Sequence, residues 1–178
     1  IKKILDSFGQ RGANLLAQKI PHYDPNFFRY DSRTVVSSGC LLGMFWKRVS
    51  PAVRKVTGQR YIQAARKNEK AALLNNGALL CGIGVLGKRQ GSRYLANVLS
   101  THKNTTMKAA AAVALRLAAA ADRDGVDPDV RTAVIKELNR IMASVNAGKS
   151  LDNPVFRGTG YLFHLLELVT KFPGKEIF

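Results

Sequence analysis

The chain has 178 residues, enough for one domain with its own core or for a short run of stacked repeats. Its 46% hydrophobic content excludes a disordered tail, and its two cysteines do not make a disulfide framework. The net charge of +16, from 28 Lys and Arg against 12 Asp and Glu, calls for an anionic partner: nucleic acid first, an acidic membrane surface or an acidic protein second.

The charge is uneven. Residues 1–108 carry 19 Lys and Arg against 4 Asp and Glu, whereas residues 109–178 carry 9 against 8. The anionic partner is therefore expected at the N-terminal part. Cys40 and Cys81 sit in apolar runs and are expected as buried free thiols. No apolar run reaches the roughly 18–20 residues of a membrane-spanning helix, and no signal peptide is visible. The first residue is Ile1 rather than Met, so a processed form or a fragment is expected.

In chain order, Lys2 to Ile20 has helical spacing at Ile4, Leu5, Phe8, Leu15, Leu16 and Ile20, loosened by Gly9 and Gly12. Pro21 to Phe28 reads as a loop with an Asp-Pro pair. Asp31 or Ser32 can cap a helix carrying Val35, Val36, Leu41, Leu42, Phe45 and Trp46. Ser50-Pro51 is a helix start, with a cap and then proline in the first turn. Gly58 to Lys70 reads as a basic helix, Ala71 to Gly87 as a glycine-spotted apolar helix, and Gly91 to Leu99 as a short one. Polar breaks are expected at Gly87–Gly91 and Ser100–Asn104. Asn104 or Thr105 caps Met107 to Ala121, whose alanines favour helix strongly. After a turn at Gly125, Asp127-Pro128 starts Asp129 to Val145, and Asp152-Asn153-Pro154 opens a last helix, strongest from Tyr161 to Val169 and stopped at Pro173. Nothing alternates with period two. The chain reads as all-α, with about seven to nine helices.

Gly58-Gln59-Arg60-Tyr61-Ile62 recurs 33 positions later as Gly91-Ser92-Arg93-Tyr94-Leu95. Ala78, Cys81, Ile83 and Val85 align with Ala110, Val113, Leu115 and Leu117 at an offset of 32. Such periods, built from helix pairs, mark α-solenoids. Residues 58–145, above all Gly77 to Ala121, resemble HEAT and armadillo-type repeats. The aspartate usual in the turn between paired helices is replaced here by His102-Lys103-Asn104. The resemblance implies one all-α domain over 1–178, with irregular basic helices at 1–57, helix pairs at 58–145 and a C-terminal helix at 146–178. An irregular helical bundle is the competing architecture.

Gly82 to Lys88 satisfies both G-x-G-x-x-G and G-x-x-x-x-G-K, but Arg89 stands where a phosphate-binding loop needs Ser or Thr. The intervening Ile83, Val85 and Leu86 call for burial, so these glycines are expected to serve close helix packing. His22, His102 and His164 are isolated, and no metal site or cofactor is indicated. His102 lies in a basic turn where it could touch phosphate.

The informative residues are cations beside aromatics or at helix ends: Arg29, Arg33, Lys47, Arg48, Arg54, Lys55, Arg60, Arg66, Lys67, Lys70, Lys88, Arg89, Arg93, Lys103 and Lys108. Arginine pairs with phosphate bidentately, and Tyr30, Tyr61 and Tyr94 could stack on bases or pack into the core. These residues point to a non-catalytic, RNA-associated structural component of a large ribonucleoprotein, such as a ribosome or organellar ribosome. Its partners would be RNA phosphates and neighbouring proteins, with no small-molecule substrate. An intracellular location is expected, with a mitochondrial or other organellar one left open. Two other classes compete: a scaffold subunit of a protein or membrane-associated complex, and a DNA-acting enzyme resembling HEAT-like alkylpurine glycosylases. The second needs an aromatic cleft with a carboxylate, for which Trp46 and Asp31 are the candidates.

Overall fold

The structure, a computed structural model, describes residues 9–19, 46–67, 73–122, 125–147 and 160–172, with the side chains of all these but Leu16, Lys19, Trp46, Lys67 and residues 73–78. Among them are seven α-helices and no strand: α1 (Gly9–Lys19), α2 (Pro51–Lys67), α3 (Leu73–Leu86), α4 (Lys88–Thr101), α5 (Thr105–Ala121), α6 (Asp129–Asn146) and α7 (Tyr161–Lys171). A 3-10 turn at Trp46–Arg48 precedes α2. The chain is all-α, as its periodicity predicts.

The helices stack in two layers. One contains α2, α4 and α6; the other contains α3, α5 and α7. Each helix packs on the next but one within its layer, α2 on α4, α4 on α6, α3 on α5 and α5 on α7. Neighbours in sequence pack across the layers, α2 on α3, α3 on α4, α4 on α5 and α6 on α7.

The sequence explains why α3 is central. Its second half, Gly77 to Leu86, has no charged or amide side chain, so it calls for cover by its neighbours. Leu79, Leu80, Ile83, Val85 and Leu86 are buried against α2, α4 and α5. Its glycines set the helix spacing. A Cβ on Gly82 would fall inside the Tyr61 ring of α2, and one on Gly84 would overlap the Ala114 carbonyl of α5. The G-x-G-x-x-G stretch is therefore a helix whose glycines admit neighbouring helices, with no room for a phosphate among them.

Local signals fix the ends. Asn104 caps α5, its Oδ1 accepting from the N–H groups of Thr106 at 2.8 Å and Met107 at 3.4 Å. Asp127 precedes α6 and its Oδ1 accepts from the Asp129 N–H at 3.0 Å. Pro51 is the first residue of α2, as read from Ser50-Pro51.

Two expectations are corrected. The boundary at 57/58 falls inside α2, because Gly58 continues the helix and lies against the Leu86 carbonyl. The break expected over Gly87–Gly91 shrinks to Gly87 alone. Lys, Arg and Gln are good helix formers, and Lys88 turns the chain by taking a left-handed φ of 45°. The loop at 21–28 and the helix capped by Asp31 or Ser32 lie outside the described residues.

The 33-residue repeat superimposes α2 on α4 in burial. Gly58 and Gly91, Tyr61 and Tyr94, and Ile62 and Leu95 are buried, while Arg60 and Arg93 are exposed. Both described tyrosines of the repeat thus belong to the core. Cys81, expected to be buried, is half-buried.

Candidate nucleic-acid interface

Two grooves open between the helices of the α2–α4–α6 layer. The first, of about 690 Å³, lies between the start of α2 and the α3–α4 turn, and Arg54, Lys55, Gln59, Lys88, Arg89 and Gln90 line it. No acidic residue is among its described lining. The second, of about 340 Å³, lies between α4 and α6, and its lining includes Arg93, Asn97, Ser100, Asp129, Thr132 and Lys136.

The local fold positions these cations. Arg54 donates from Nε to the Val49 carbonyl at 2.8 Å and from Nη2 to the Lys47 carbonyl at 2.9 Å, tying the 3-10 turn to α2. Lys88 projects from the left-handed residue at the mouth of the first groove. No side chain caps the N-terminus of α4, and its first turn has no acidic residue, so the positive end of its dipole adds to the four cations.

Asp127 joins the two grooves. Its carboxylate is 2% exposed, whereas the side chains of Arg89 and Arg93 are 66% and 65% exposed. Its Oδ2 accepts from Arg89 Nε at 3.3 Å, from Arg93 Nε at 3.0 Å and from an Arg93 Nη at 2.9 Å. The Asp127 N–H donates to Ser92 Oγ at 2.8 Å, and that hydroxyl donates to the Arg89 carbonyl at 3.0 Å. Burial alone would raise the Asp127 pKa, but the Asp129 N–H and the two arginines outweigh it and hold the carboxyl below its ordinary value. Asp127 therefore fixes two arginines from one side while their outer faces stay in water.

The expected binding residues distribute as follows. Arg54, Lys55, Lys88 and Arg89 come together in the first groove, and Arg93 lies in the second. Lys47, Arg60, Arg66 and Lys103 are exposed, and Arg48 is half-buried. Arg66 lies over the Tyr94 ring at 5.8 Å, where the cation meets the π face. His102 accepts the Asn104 N–H on Nδ1 at 3.0 Å and orders the α4–α5 turn. Arg29, Arg33 and Lys70 lie outside the described residues, as does the side chain of Lys67.

Lys108 is a correction. It is 6% exposed, and its Nζ donates to Glu137 Oε2 at 2.7 Å inside the fold. Glu137, 2% exposed, also takes Tyr161 Oη at 2.9 Å and two bonds from Arg140 at 2.9 and 2.7 Å. Burial opposes ionisation of Glu137, yet Arg140, Lys108 and Tyr161 together hold its pKa below the ordinary value. Burial and the Glu137 charge push the Tyr161 pKa well up. This hub ties α5, α6 and α7 together and withdraws Lys108 from any surface phosphate.

Sequence reasoning missed Lys136 and Asp127. Lys136 lies in the near-neutral half, where no charge run draws attention to it. Asp127 reads only as a helix start, and its two arginines stand 38 and 34 positions away.

Among the described residues no three His, Cys, Asp or Glu side chains converge as metal ligands, and no helix is long and apolar enough to cross a membrane. No protein-family model, no curated protein and no solved structure matches the chain.

Proposed function

We propose that the chain is a non-catalytic RNA-associated structural component of a large ribonucleoprotein, of ribosomal or organellar-ribosomal type, built on a HEAT-like stack. The observation that carries this reading is the first groove: Arg54, Lys55, Lys88 and Arg89 around one open cleft without an acidic residue among its described lining. Cations at such a surface neutralise phosphates and release counterions, a sequence-independent source of affinity. The non-catalytic role is supported by the carboxylates. The buried Asp127 and Glu137 are both engaged by cations in structural networks, so neither is poised as an acid or base.

The near-neutral C-terminal end suits a neighbouring protein. Met142 and Val145 on α6, and Phe163 and Leu166 on α7, are all exposed apolar side chains. They favour a second, compatible role in which this end docks into the assembly while the basic end holds RNA. The candidates for a DNA-acting enzyme, Asp31 and the Trp46 side chain, lie outside the described residues.

The test is RNA binding by the purified chain between about 50 and 200 mM salt, with each phosphate contact contributing roughly −0.7 to −0.9 to the log–log slope. A variant with Lys55 and Lys88 changed to Glu, which leaves the Arg89–Asp127 pair in place, runs beside it. Tight binding that collapses with salt and in the variant supports the reading. Binding that ignores salt, or none at the lowest salt, refutes it and gives the lead to a protein-scaffold role.

A further inference from the structure

Resting on that phosphate-binding reading, we infer that the layer of α2, α4 and α6 is built for the backbone of double-helical RNA rather than for a single strand. Three observations carry this. First, the cations form a rail across the layer. Lys55 and Lys88 stand in one groove and Arg93 and Lys136 in the next. The packed helices between them are set about 8–10 Å apart. Second, the aromatics that a single strand would need are elsewhere. Single-strand binders stack successive bases on aromatic side chains, worth about 1–3 kcal/mol per base. Tyr61 and Tyr94, the aromatic partners of the basic repeat, are 0% and 9% exposed, and the described lining of both grooves has no aromatic residue. The exposed Phe163 belongs to α7, in the other layer. Third, the cations are interleaved with neutral polar groups, Gln59 and Gln90 in the first groove and Asn97, Ser100 and Thr132 in the second, where Asp129 is the one carboxylate of the described lining. Amide and hydroxyl groups beside cations match the phosphates and 2′-hydroxyls displayed along the wide minor groove of an A-form helix.

Asp127 adds rigidity to the rail. Arg89 reaches the first groove and Arg93 the second, and one buried carboxylate holds both. A pre-ordered row of cations suits a duplex, whose phosphates are themselves held in fixed positions. A single strand can adjust to any spacing and gains little from such order.

The experiment is anisotropy titration of the full chain at low salt with three probes. They are a blunt RNA duplex of about 16 base pairs, long enough to present two minor grooves on one face, either of its separated strands, and an oligouridylate of equal length. The duplex is expected to bind roughly tenfold tighter than the single strands per phosphate, with the same affinity for unrelated duplex sequences. Changing Lys55 and Lys88 to Gln should lower the salt slope for the duplex by about two, and Lys136→Gln by about one. Circular dichroism melts of the variants verify that these exposed substitutions leave the fold intact. Equal or tighter binding of the single strands overturns the inference and leaves the parent reading standing. Unchanged slopes in folded variants overturn the assignment of the rail. Absence of binding by any probe at low salt overturns both.

Discussion

Lys88 is the sharpest place to test the reasoning, because geometry and charge make separate demands there. Its φ of 45° puts an exposed lysine in the left-handed region. For an L-residue that conformation costs about 1–2 kcal/mol, and glycine avoids the cost. Glycine in turn loses about 0.5–1 kcal/mol of extra backbone entropy on folding. Lys88→Gly should therefore stabilise the protein by about 0.5–1 kcal/mol, near 2–4 °C in Tm for each kcal/mol at this chain length. Lys88→Ala keeps the strain and removes an exposed side chain, so its stability should stay within about 0.5 kcal/mol of the parent. In ordinary helix the order is reversed, with alanine better than glycine by about 1 kcal/mol. Both variants lose the same positive charge, and each should lower the RNA salt slope by about one. Urea titration gives the stability order and salt titration gives the slope. Alanine more stable than glycine would refute the left-handed turn. An unchanged slope in both would remove Lys88 from the interface.

Gly84→Ala replaces the poorest ordinary helix former with the best, yet its Cβ would overlap the Ala114 carbonyl of α5. We expect destabilisation of about 1–3 kcal/mol, and a stabilised variant in thermal denaturation would contradict the close α3–α5 approach. Glu137→Ala leaves the Lys108 ammonium buried without its anion and should cost about 3–5 kcal/mol, read as a loss of urea midpoint. Lys108→Met, by contrast, should leave the RNA salt slope unchanged, because that lysine is 6% exposed. Acid should destabilise the chain through the two carboxylates that are buried among the described residues. Asp127 and Glu137 titrate below their ordinary 3.8 and 4.5 in the folded state, so the unfolded chain takes up protons first as pH falls. Their contribution is complete above those ordinary values and is lost as pH drops through the lower folded ones. Urea midpoints across acid pH should fall steeply below about 4.5, and Glu137→Gln should flatten part of that fall.

Helices, caps and packing glycines were legible in the sequence for physical reasons. Asn104 and Asp127-Pro128 are local devices, and the alanines of α5 favour helix whatever surrounds them. The apolar filling of Gly82 to Leu86 announced burial, and hence packing glycines rather than a phosphate cradle. The single-residue turn at Gly87 was not legible, because Lys88-Arg89-Gln90 resembles a polar loop until the left-handed φ of Lys88 is seen. The candidate surface was half legible. Lys55, Lys88, Arg89 and Arg93 announce themselves by charge. The burial of Lys108 depends on Glu137, 29 positions away, and only the packing of α5 and α6 against the same two helices, α4 and α7, brings that pair together. A count of cations cannot separate those that pair across the fold from those that face water.

The two-layer stack bears on how the chain reaches this state. Every extensive contact among the described helices joins neighbours or next neighbours along the chain. The chain between such partners can still be long, as the 51 positions from Arg116 to Glu167 show. Folding of such a stack can begin at the α3–α5 pair and extend helix by helix towards both ends. Stability is then graded along the chain, with the middle helices opening last and the outer ones free to adjust while a partner is engaged.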